Sequence, residues 1–218
     1  MANRIRGLYG VTPETSDDAW LCERVEQAVR GGMALLQYRA KQADPTLRLR
    51  QARALLASCR RHAVPLLIND DVELALAIGA DGVHLGRDDT DPVHARAMLG
   101  ARAIVGVSCY ADLARIEPAR RAGADYVAFG SFFPSRVKPQ AVSAPLDILR
   151  QARQTCELPL VAIGGITPEN APSLVEHGAH AVAAISALFD VADTFAAARA
   201  FAACFDANQA EALSHDIT

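Results

Sequence analysis

A short sequence that occurs three times decides the fold: Gly79-Ala80-Asp81-Gly82-Val83, Gly123-Ala124-Asp125-Tyr126-Val127 and Gly178-Ala179-His180-Ala181-Val182. In each copy the glycine follows a segment of helical periodicity, and glycine readily adopts the left-handed conformation that ends a helix. The valine lies in a short apolar run that is typical of a buried strand. Each copy therefore predicts a helix that ends and passes directly into a strand.

Outward from these copies, the same alternation extends over the whole chain and predicts eight strand-helix units. The strands are predicted at Leu8–Val11, Ala34–Tyr38, Pro65–Ile68, Gly82–Leu85, Ala103–Val107, Tyr126–Phe129, Leu160–Ile163 and Ala181–Ile185. The helices are predicted at Asp17–Arg30, Thr46–Arg61, Val72–Ile78, Pro92–Met98, Leu113–Arg121, Leu146–Thr155, Glu169–Glu176 and Ala192–Phe205.

Eight such units in one chain indicate an α/β fold, the closed (β/α)8 TIM barrel. Residues 1–205 are expected to form this single domain, and residues 206–218 a flexible C-terminal tail. A doubly wound open sheet is the alternative, but no G-x-G-x-x-G follows the first strand, so the usual dinucleotide signature of that fold is absent.

Composition and charge exclude several classes of protein. A chain of 218 residues with 51% hydrophobic residues can bury a core without disulfides or a structural metal. A net charge of -3 offers no broad basic field for nucleic acid or anionic lipid. Five separated cysteines form no C-x-x-C pair and indicate reduced thiols. With no signal peptide and no spanning apolar run, we expect a cytoplasmic protein with neither nucleic-acid nor membrane partners, and homo-oligomerisation is left open.

Polar residues collect where the second predicted strand ends. This segment reads Gln37-Tyr38-Arg39-Ala40-Lys41, and the period of two in a strand places Gln37, Arg39 and Lys41 on one face. In a (β/α)8 barrel the strand ends meet at the rim that holds the active site. The spacing predicts an amide and two cations at that rim, and a solvated strand end is the other interpretation.

Carboxylates follow the next two strands. Strand 3 ends in Asn69-Asp70-Asp71, and Asp89 follows strand 4. Two carboxylates that reach one rim from adjacent strands suit Mg2+, which takes one or two carboxylates together with phosphate oxygens and water. N-capping of the following helices is the alternative interpretation of each aspartate.

The ends of strands 7 and 8 predict a phosphate cradle. Gly164-Gly165 and Ile185-Ser186 lie where barrels hold phosphate, because glycines let backbone N–H groups approach the anion. The segment Gly130–Pro139 after strand 6 includes Ser135, Arg136, Val137 and Lys138 and predicts a lid with two cations. The sequence therefore predicts a barrel enzyme for two phosphorylated small molecules.

Two interior residues are predicted to act through hydrogen bonds. Ser108, at the end of strand 5, has no G-x-S-x-G context, so we interpret it as a hydrogen-bond donor and not as a nucleophile. His84 points into the barrel between two outward-facing apolar residues and is expected to be a hydrogen-bonded interior histidine. No H-E-x-x-H or similar cluster predicts zinc chemistry.

These motifs resemble those of the thiamine-phosphate synthase family over nearly the whole chain, from Gly7-Leu8-Tyr9-Gly10-Val11-Thr12 to Ile185-Ser186. The Q-x-R-x-K of the family resembles Gln37 to Lys41, its N-D resembles Asn69-Asp70, and its G-V-H-x-G-x-x-D resembles Gly82 through Asp89. The resemblance implies a Mg2+-dependent transferase. Such an enzyme condenses 4-amino-2-methyl-5-hydroxymethylpyrimidine pyrophosphate with hydroxyethylthiazole phosphate to give thiamine phosphate and pyrophosphate.

The resemblance also implies a role for each matching residue. The pyrimidine pyrophosphate would be bound by Gln37, Tyr38, Arg39, Ala40, Lys41, Asn69, Ser108 and Lys138. The thiazole phosphate would be bound by Ser135, Arg136, Val137, Gly165, Ile185 and Ser186. Asp70 and Asp89 would hold Mg2+, and Arg39, Lys138 and Ser108 would act in catalysis. Two positions depart from the family: Arg87 replaces the usual Gln, and Val137 stands at a Thr of the lid motif T-x-T-K and has no hydroxyl.

Two other functions are carried as alternatives. A thiazole tautomerase, an isomerase that shares the barrel and the thiazole phosphate cradle, would not need Asp70 and Asp89 beside Arg39 and Lys41. A barrel that only binds a phosphate ligand would need these polar residues still less.

Overall fold

The protein is a closed barrel of parallel strands in chain order, with β8 paired to β1. The structure, a computed structural model, describes residues 5–134 and 143–215, with side chains through Asp206. The strands are β1 Gly7–Val11, β2 Met33–Tyr38, β3 Leu66–Asn69, β4 Gly82–Leu85, β5 Ile104–Tyr110, β6 Tyr126–Phe129, β7 Leu160–Ile163 and β8 Ala181–Ala184. The helices are α1 Asp18–Arg30, α2 Pro45–Arg61, α3 Val72–Ile78, α4 Pro92–Leu99, α5 Ile116–Arg121, α6 Asp147–Thr155, α7 Ala171–Glu176, α8 Ser186–Phe189 and α9 Thr194–His215. The (β/α)8 prediction is confirmed.

Most elements differ from the prediction by one to three residues at one end or both, and three differences stand out. Strand β5 continues to Tyr110, which pairs with Phe129 after an irregularity that follows Ser108. Helix α8 follows β8 and was not predicted, because four residues are too few to show a helical period. Helix α9 continues past Phe205 to His215, through an alanine-containing segment of high helix propensity. The flexibility of residues 206–218 stays a prediction.

The strands separate two apolar cores because successive side chains point to opposite faces. Residues such as Tyr9, Leu35 and Leu67 fill the barrel interior. Leu8, Leu36 and their counterparts pack outward against the helices. Within the described residues, no helix is both long enough and apolar enough to cross a membrane. The carboxyl ends of all the strands meet at one rim, which positions the site.

The repeated sequence has a second role that the sequence did not reveal. The glycine of each copy has a positive φ, at +68° in Gly79, where it ends α3. The third residue of each copy accepts the backbone N–H of the neighbouring strand. Asp81 accepts from Leu66 at 2.9 Å, Asp125 from Val105 at 2.8 Å, and His180 from Leu160 at 2.9 Å. The motif therefore joins strands at the amino end of the barrel, opposite the site.

The histidine copy of this motif makes stability pH-dependent. Burial, and then the positive charges of Arg153 and Arg6, lower the pKa of His180 to about 4. The unfolded chain takes up this proton near pH 6.5, so falling pH favours unfolding between about pH 6.5 and 4. After discounting for partial exposure, we expect this group to remove on the order of 1 kcal/mol of stability across that window.

The variant His180→Asp has the residue found at Asp81 and Asp125, and its carboxylate stays ionised through this window. The stability of the variant should therefore fall less than that of the wild type as the pH is lowered. Urea unfolding of both proteins between about pH 7 and 4.5 measures the difference. If the free energy of unfolding falls equally in the two proteins, groups other than His180 cause the pH dependence.

Candidate active site

The carboxyl ends of the strands open into a cavity of about 960 Å³, measured out to its mouth. Its polar wall is formed by Tyr9, Gln37, Arg39, Asn69, His84, Ser108, Tyr110 and Ser131. Four residues that the sequence singled out, Gln37, Arg39, Asn69 and Ser108, are thus brought to one cavity. The floor is apolar and includes Val11, Val161 and Ile163, so a flat ring could enter with its polar groups at the wall.

His84 is an interior histidine held by hydrogen bonds, as predicted. Its Nδ1 lies 2.8 Å from Tyr126 Oη, and its Nε2 lies 2.9 Å from Ser108 Oγ. The imidazole also stacks on the Tyr126 ring, with the ring centroids 5.6 Å apart. These contacts fix Ser108 at the cavity wall.

Two cations that follow β2 are oriented by carboxylates. Lys41 Nζ lies 2.7 Å from Asp70 Oδ2, and Arg39 Nη1 lies 3.4 Å from Glu14 Oε1. Glu14 Oε1 also accepts the backbone N–H of Lys41 at 2.7 Å, and Thr12 Oγ1 accepts that of Arg39 at 2.8 Å. The two cations therefore stand on the rim in a fixed segment, and an anion of high charge could bind between them.

The carboxyl groups of Asp70 and Asp89 lie close enough to shift each other's pKa. Burial and the Asp70 carboxyl raise the pKa of Asp89. Burial alone would raise the pKa of Asp70. The interactions of this carboxyl with Asp89 and Lys41 outweigh burial, so its pKa is lowered. Two neighbouring carboxylates repel each other when both are ionised, so such a pair favours a bound cation.

The aspartate that caps α3 is neither Asp70 nor Asp89. Asp71 Oδ1 accepts the N–H of Leu74 at 2.8 Å and caps α3. Asp89 Oδ2 accepts the N–H of Gly86 at 2.6 Å within a turn. The capping interpretation is therefore correct for Asp71, and Asp70 and Asp89 face each other.

This pair fits Mg2+. Its donors are hard carboxylate oxygens that follow adjacent strands, and a divalent cation bound between them would relieve their repulsion. Within residues 5–134 and 143–206, no group of three or more His, Cys, Asp or Glu side chains could hold a metal. The remaining ligands would be phosphate oxygens and water, which is the coordination that Mg2+ prefers.

A second cavity, of about 870 Å³, adjoins the first after β7 and β8. Its lining includes Gly165, Thr167 and Ser186, and the two cavities share Ile163, Gly164, Ala183 and Ile185 as a common wall. Gly165, Ile185 and Ser186, the residues predicted for the phosphate cradle, are therefore brought together here.

Gly165 is required for a reason beyond access to an anion. Its φ is +62°, and a Cβ at this position would lie 2.3 Å from the carbonyl oxygen of Pro134 and 2.7 Å from that of Phe133. The loop after β7 thus packs directly on the backbone of the segment that follows β6.

Several predicted residues line neither of these two cavities. Tyr38, Ala40, Lys41 and Asp70 line a third cavity of about 560 Å³ beside α2 and α3. The Tyr38 hydroxyl donates to Gln51 Oε1 at 2.8 Å, so the Tyr38 side chain points to the helix layer and not to the barrel mouth. Ser135, Arg136, Val137 and Lys138 lie outside the described residues.

The sequence reasoning missed Tyr9, Tyr126, Tyr110 and Ser131 on or beneath the wall. Tyr9 shares the inward face of β1 with Val11, so the period of two could have found it. Tyr110 projects from the irregular end of β5, with the guanidinium groups of Arg87 and Arg115 at 5.1 and 5.5 Å from its ring centroid. No local sequence signal predicts that placement.

Comparisons with known proteins point to one family. The family model "Thiamine monophosphate synthase" matches residues 8–188. A thiamine-phosphate synthase from Azoarcus sp. (strain BH72) is 55% identical over 205 residues, which cover 94% of this chain and 100% of the relative. One from Bordetella pertussis is 52% identical over 208 residues, covering 93% and 96%. The solved thiamine phosphate pyrophosphorylase from Pyrococcus furiosus superposes with a TM-score of 0.82 at 30% identity, covering 94% and 98%.

Proposed function

The chain belongs to the thiamine monophosphate synthase family and has the activity of a thiamine-phosphate synthase, a transferase, and from that premise we propose which of its residues carry the reaction. The observation that supports the assignment is the shared wall of the two cavities. Arg39 and Asn69 line the first cavity, and Gly165 and Ser186 line the second. Lys41 and Asp70 line a third cavity, which shares Asn69 with the first. Two phosphorylated substrates bound in the first and second cavities would meet across Ile163, Gly164 and Ile185.

The first cavity takes the pyrimidine pyrophosphate in this proposal. The amide of Gln37 and the hydroxyl of Ser108 provide polar contacts at a wall with an apolar floor. Arg39 and Lys41, held on the rim by Glu14 and Asp70, would neutralise the pyrophosphate. Lys138 is proposed to add a further cation, on the resemblance alone.

Asp70 and Asp89 would hold Mg2+ in this proposal. When bound, Mg2+ neutralises charge on pyrophosphate oxygens and so favours their departure. Lys41, at 2.7 Å from Asp70, orients that carboxylate and is itself near enough to contact the same anion.

The reaction needs charge stabilisation and positioning more than a nucleophile from the protein. The C–O bond between the pyrimidine methylene and pyrophosphate breaks, and its electron pair leaves on the pyrophosphate oxygen. The thiazole nitrogen uses its lone pair to form the new C–N bond. The aminopyrimidine ring supports positive charge at the methylene, so Arg39 and Lys41 act by stabilising the departing anion. This accounts for a site with cations and carboxylates, in which the contact between Ser108 Oγ and His84 Nε2 is not needed as a nucleophile-base pair.

The carboxylate pair also argues against the two alternatives. A thiazole tautomerase releases no pyrophosphate and has no use for Asp70 and Asp89 beside Lys41. A barrel that only binds a ligand would not need two adjoining cavities with a common wall.

Pyrophosphate release tests the proposal. The protein with both substrates and Mg2+ should release pyrophosphate and form thiamine phosphate, and omission of the thiazole phosphate or chelation of Mg2+ should stop both. Conversion of the thiazole substrate alone, or binding without release, would contradict the proposal in favour of one alternative.

Gly165→Val should damage the thiazole phosphate site selectively. Valine at φ +62° is strained, and its Cβ would push on the backbone of Phe133 and Pro134 at the edge of the second cavity. We expect the KM for thiazole phosphate to rise by at least tenfold, about 1.4 kcal/mol, with a much smaller change for the pyrimidine pyrophosphate. Gly100→Val is the matched control, because Gly100 also has a positive φ, +82°, but nothing lies near its would-be Cβ.

A further inference from the structure

Four hydrogen bonds join five polar side chains into one chain across the barrel interior. Gln37 Nε2 donates to Tyr9 Oη at 2.6 Å, and Tyr9 Oη lies 2.8 Å from Tyr126 Oη. Tyr126 Oη lies 2.8 Å from His84 Nδ1, and His84 Nε2 lies 2.9 Å from Ser108 Oγ. The two ends, Gln37 and Ser108, are residues that the proposed function assigns to the pyrimidine pyrophosphate.

The middle of this chain is shielded and tightly packed. Tyr9 is 1% exposed and Tyr126 is 0% exposed. A Cβ at Gly106 would lie 2.0 Å from Tyr126 Cζ, so a glycine there leaves room for the phenol. Burial raises the pKa of both phenols, so each hydroxyl keeps its single hydrogen.

One order of donors runs through the whole chain. The Gln37 amide donates to Tyr9 Oη, and the Tyr9 hydroxyl, one of the two possible donors in its bond with Tyr126, donates to Tyr126 Oη. In this order the Tyr126 hydroxyl donates to His84 Nδ1, which is the acceptor. A neutral imidazole with an accepting Nδ1 carries its hydrogen on Nε2, and that N–H donates to Ser108 Oγ.

In this order the hydrogen of the Ser108 hydroxyl is not used by any of the four hydrogen bonds. Ser108 lines the first cavity, so its hydroxyl can donate to an anion bound there. In the other tautomer of His84, Nε2 would accept the Ser108 hydrogen, and Ser108 would present only lone pairs to that anion.

We propose that Tyr126 is a positioning residue that holds His84 in the Nε2–H tautomer and thereby keeps the Ser108 hydroxyl as a donor to the pyrimidine pyrophosphate. This inference rests on the proposed function. It adds a residue that contacts no substrate, and it explains why two tyrosine hydroxyls are buried beneath the site.

Removal of one hydroxyl tests the inference. Tyr126→Phe frees the tautomer of His84, so kcat/KM for the pyrimidine pyrophosphate should fall about tenfold, the scale of one hydrogen bond to a charged group. The KM for thiazole phosphate should not change. Ser108→Ala should lose at least as much, and the double variant should be no worse than Ser108→Ala alone. Ser58→Ala, which removes a buried hydroxyl that donates to Glu26 on the helix layer, is the control and should keep wild-type kinetics.

Nitrogen NMR of the histidine-labelled wild-type protein tests the tautomer without any variant at Tyr126. The His84 signals, assigned with His84→Gln, should show an unprotonated Nδ1 and a protonated Nε2. A protonated Nδ1, or additive losses in the double variant, would overturn the inference and leave the proposed function intact. Wild-type activity in Ser108→Ala would instead remove Ser108 from substrate binding and contradict the proposed function itself.

Discussion

Asp70→Ala and Asp89→Ala should each lower kcat by about a thousandfold or more, roughly 4 kcal/mol of transition-state stabilisation. Each change removes one carboxylate of a pair whose members lie close enough to shift each other's pKa, as two ligands of one cation would. Initial rates of pyrophosphate release over a range of Mg2+ concentrations measure the effect. Because Asp70 has a φ of +63°, Asp70→Asn should accompany the alanine variant, since asparagine tolerates this conformation.

Asp71→Ala is the matched control for the carboxylate variants. Asp71 is adjacent in sequence, but it caps α3 and forms an ion pair with Arg48. Its loss should cost about 1 kcal/mol of stability and leave turnover near wild type. Near-wild-type turnover in Asp70→Asn and Asp89→Ala would show that the pair does not hold the metal. An equal loss in Asp71→Ala would indicate damage to the loop in general.

Arg39→Ala should lower kcat/KM about a hundredfold, near 3 kcal/mol, because it removes one cation from the departing pyrophosphate. Arg39→Lys should be more active than Arg39→Ala but less active than the wild type, since an ammonium group cannot reproduce the paired donors of a guanidinium. Lys138→Ala should have an effect of the same size, an expectation that rests on the sequence alone. Steady-state kinetics with each substrate varied in turn would measure these losses.

Arg50→Ala provides the comparison for Arg39. Arg50 also pairs with a carboxylate, Asp18, but on the exposed face of α2. Surface ion pairs contribute little, so this variant should keep its activity. A loss below threefold in Arg39→Ala, or an equal loss in Arg50→Ala, would mean that Arg39 is an ordinary surface charge.

The fold was predictable because its signals are local. A glycine that ends each helix and a short apolar run that follows it are visible within five residues, as in Gly79 to Val83. Strand ends at Gln37, Asn69 and Ser108 followed from the same periodicity, and the barrel topology then placed them together. The roles of Asp81, Asp125 and His180 were missed because their partners are amides of neighbouring strands, distant in sequence.

The interior of the site was less predictable for a similar reason. Tyr9 and Tyr126 are 117 positions apart, and each alone is a typical aromatic strand residue. Their hydrogen bond exists only because the barrel closes. Glu14, which orients both Arg39 and Lys41, comes from the loop after β1 and carries no motif.

The division of the barrel mouth into two subsites is the central claim, and calorimetric titration of each substrate separately, with Mg2+ present, tests it most directly. Asp89→Ala should weaken binding of the pyrimidine pyrophosphate at least tenfold and leave thiazole phosphate binding nearly unchanged, and Gly165→Val should do the reverse. Equal weakening of both ligands by either variant would contradict the division.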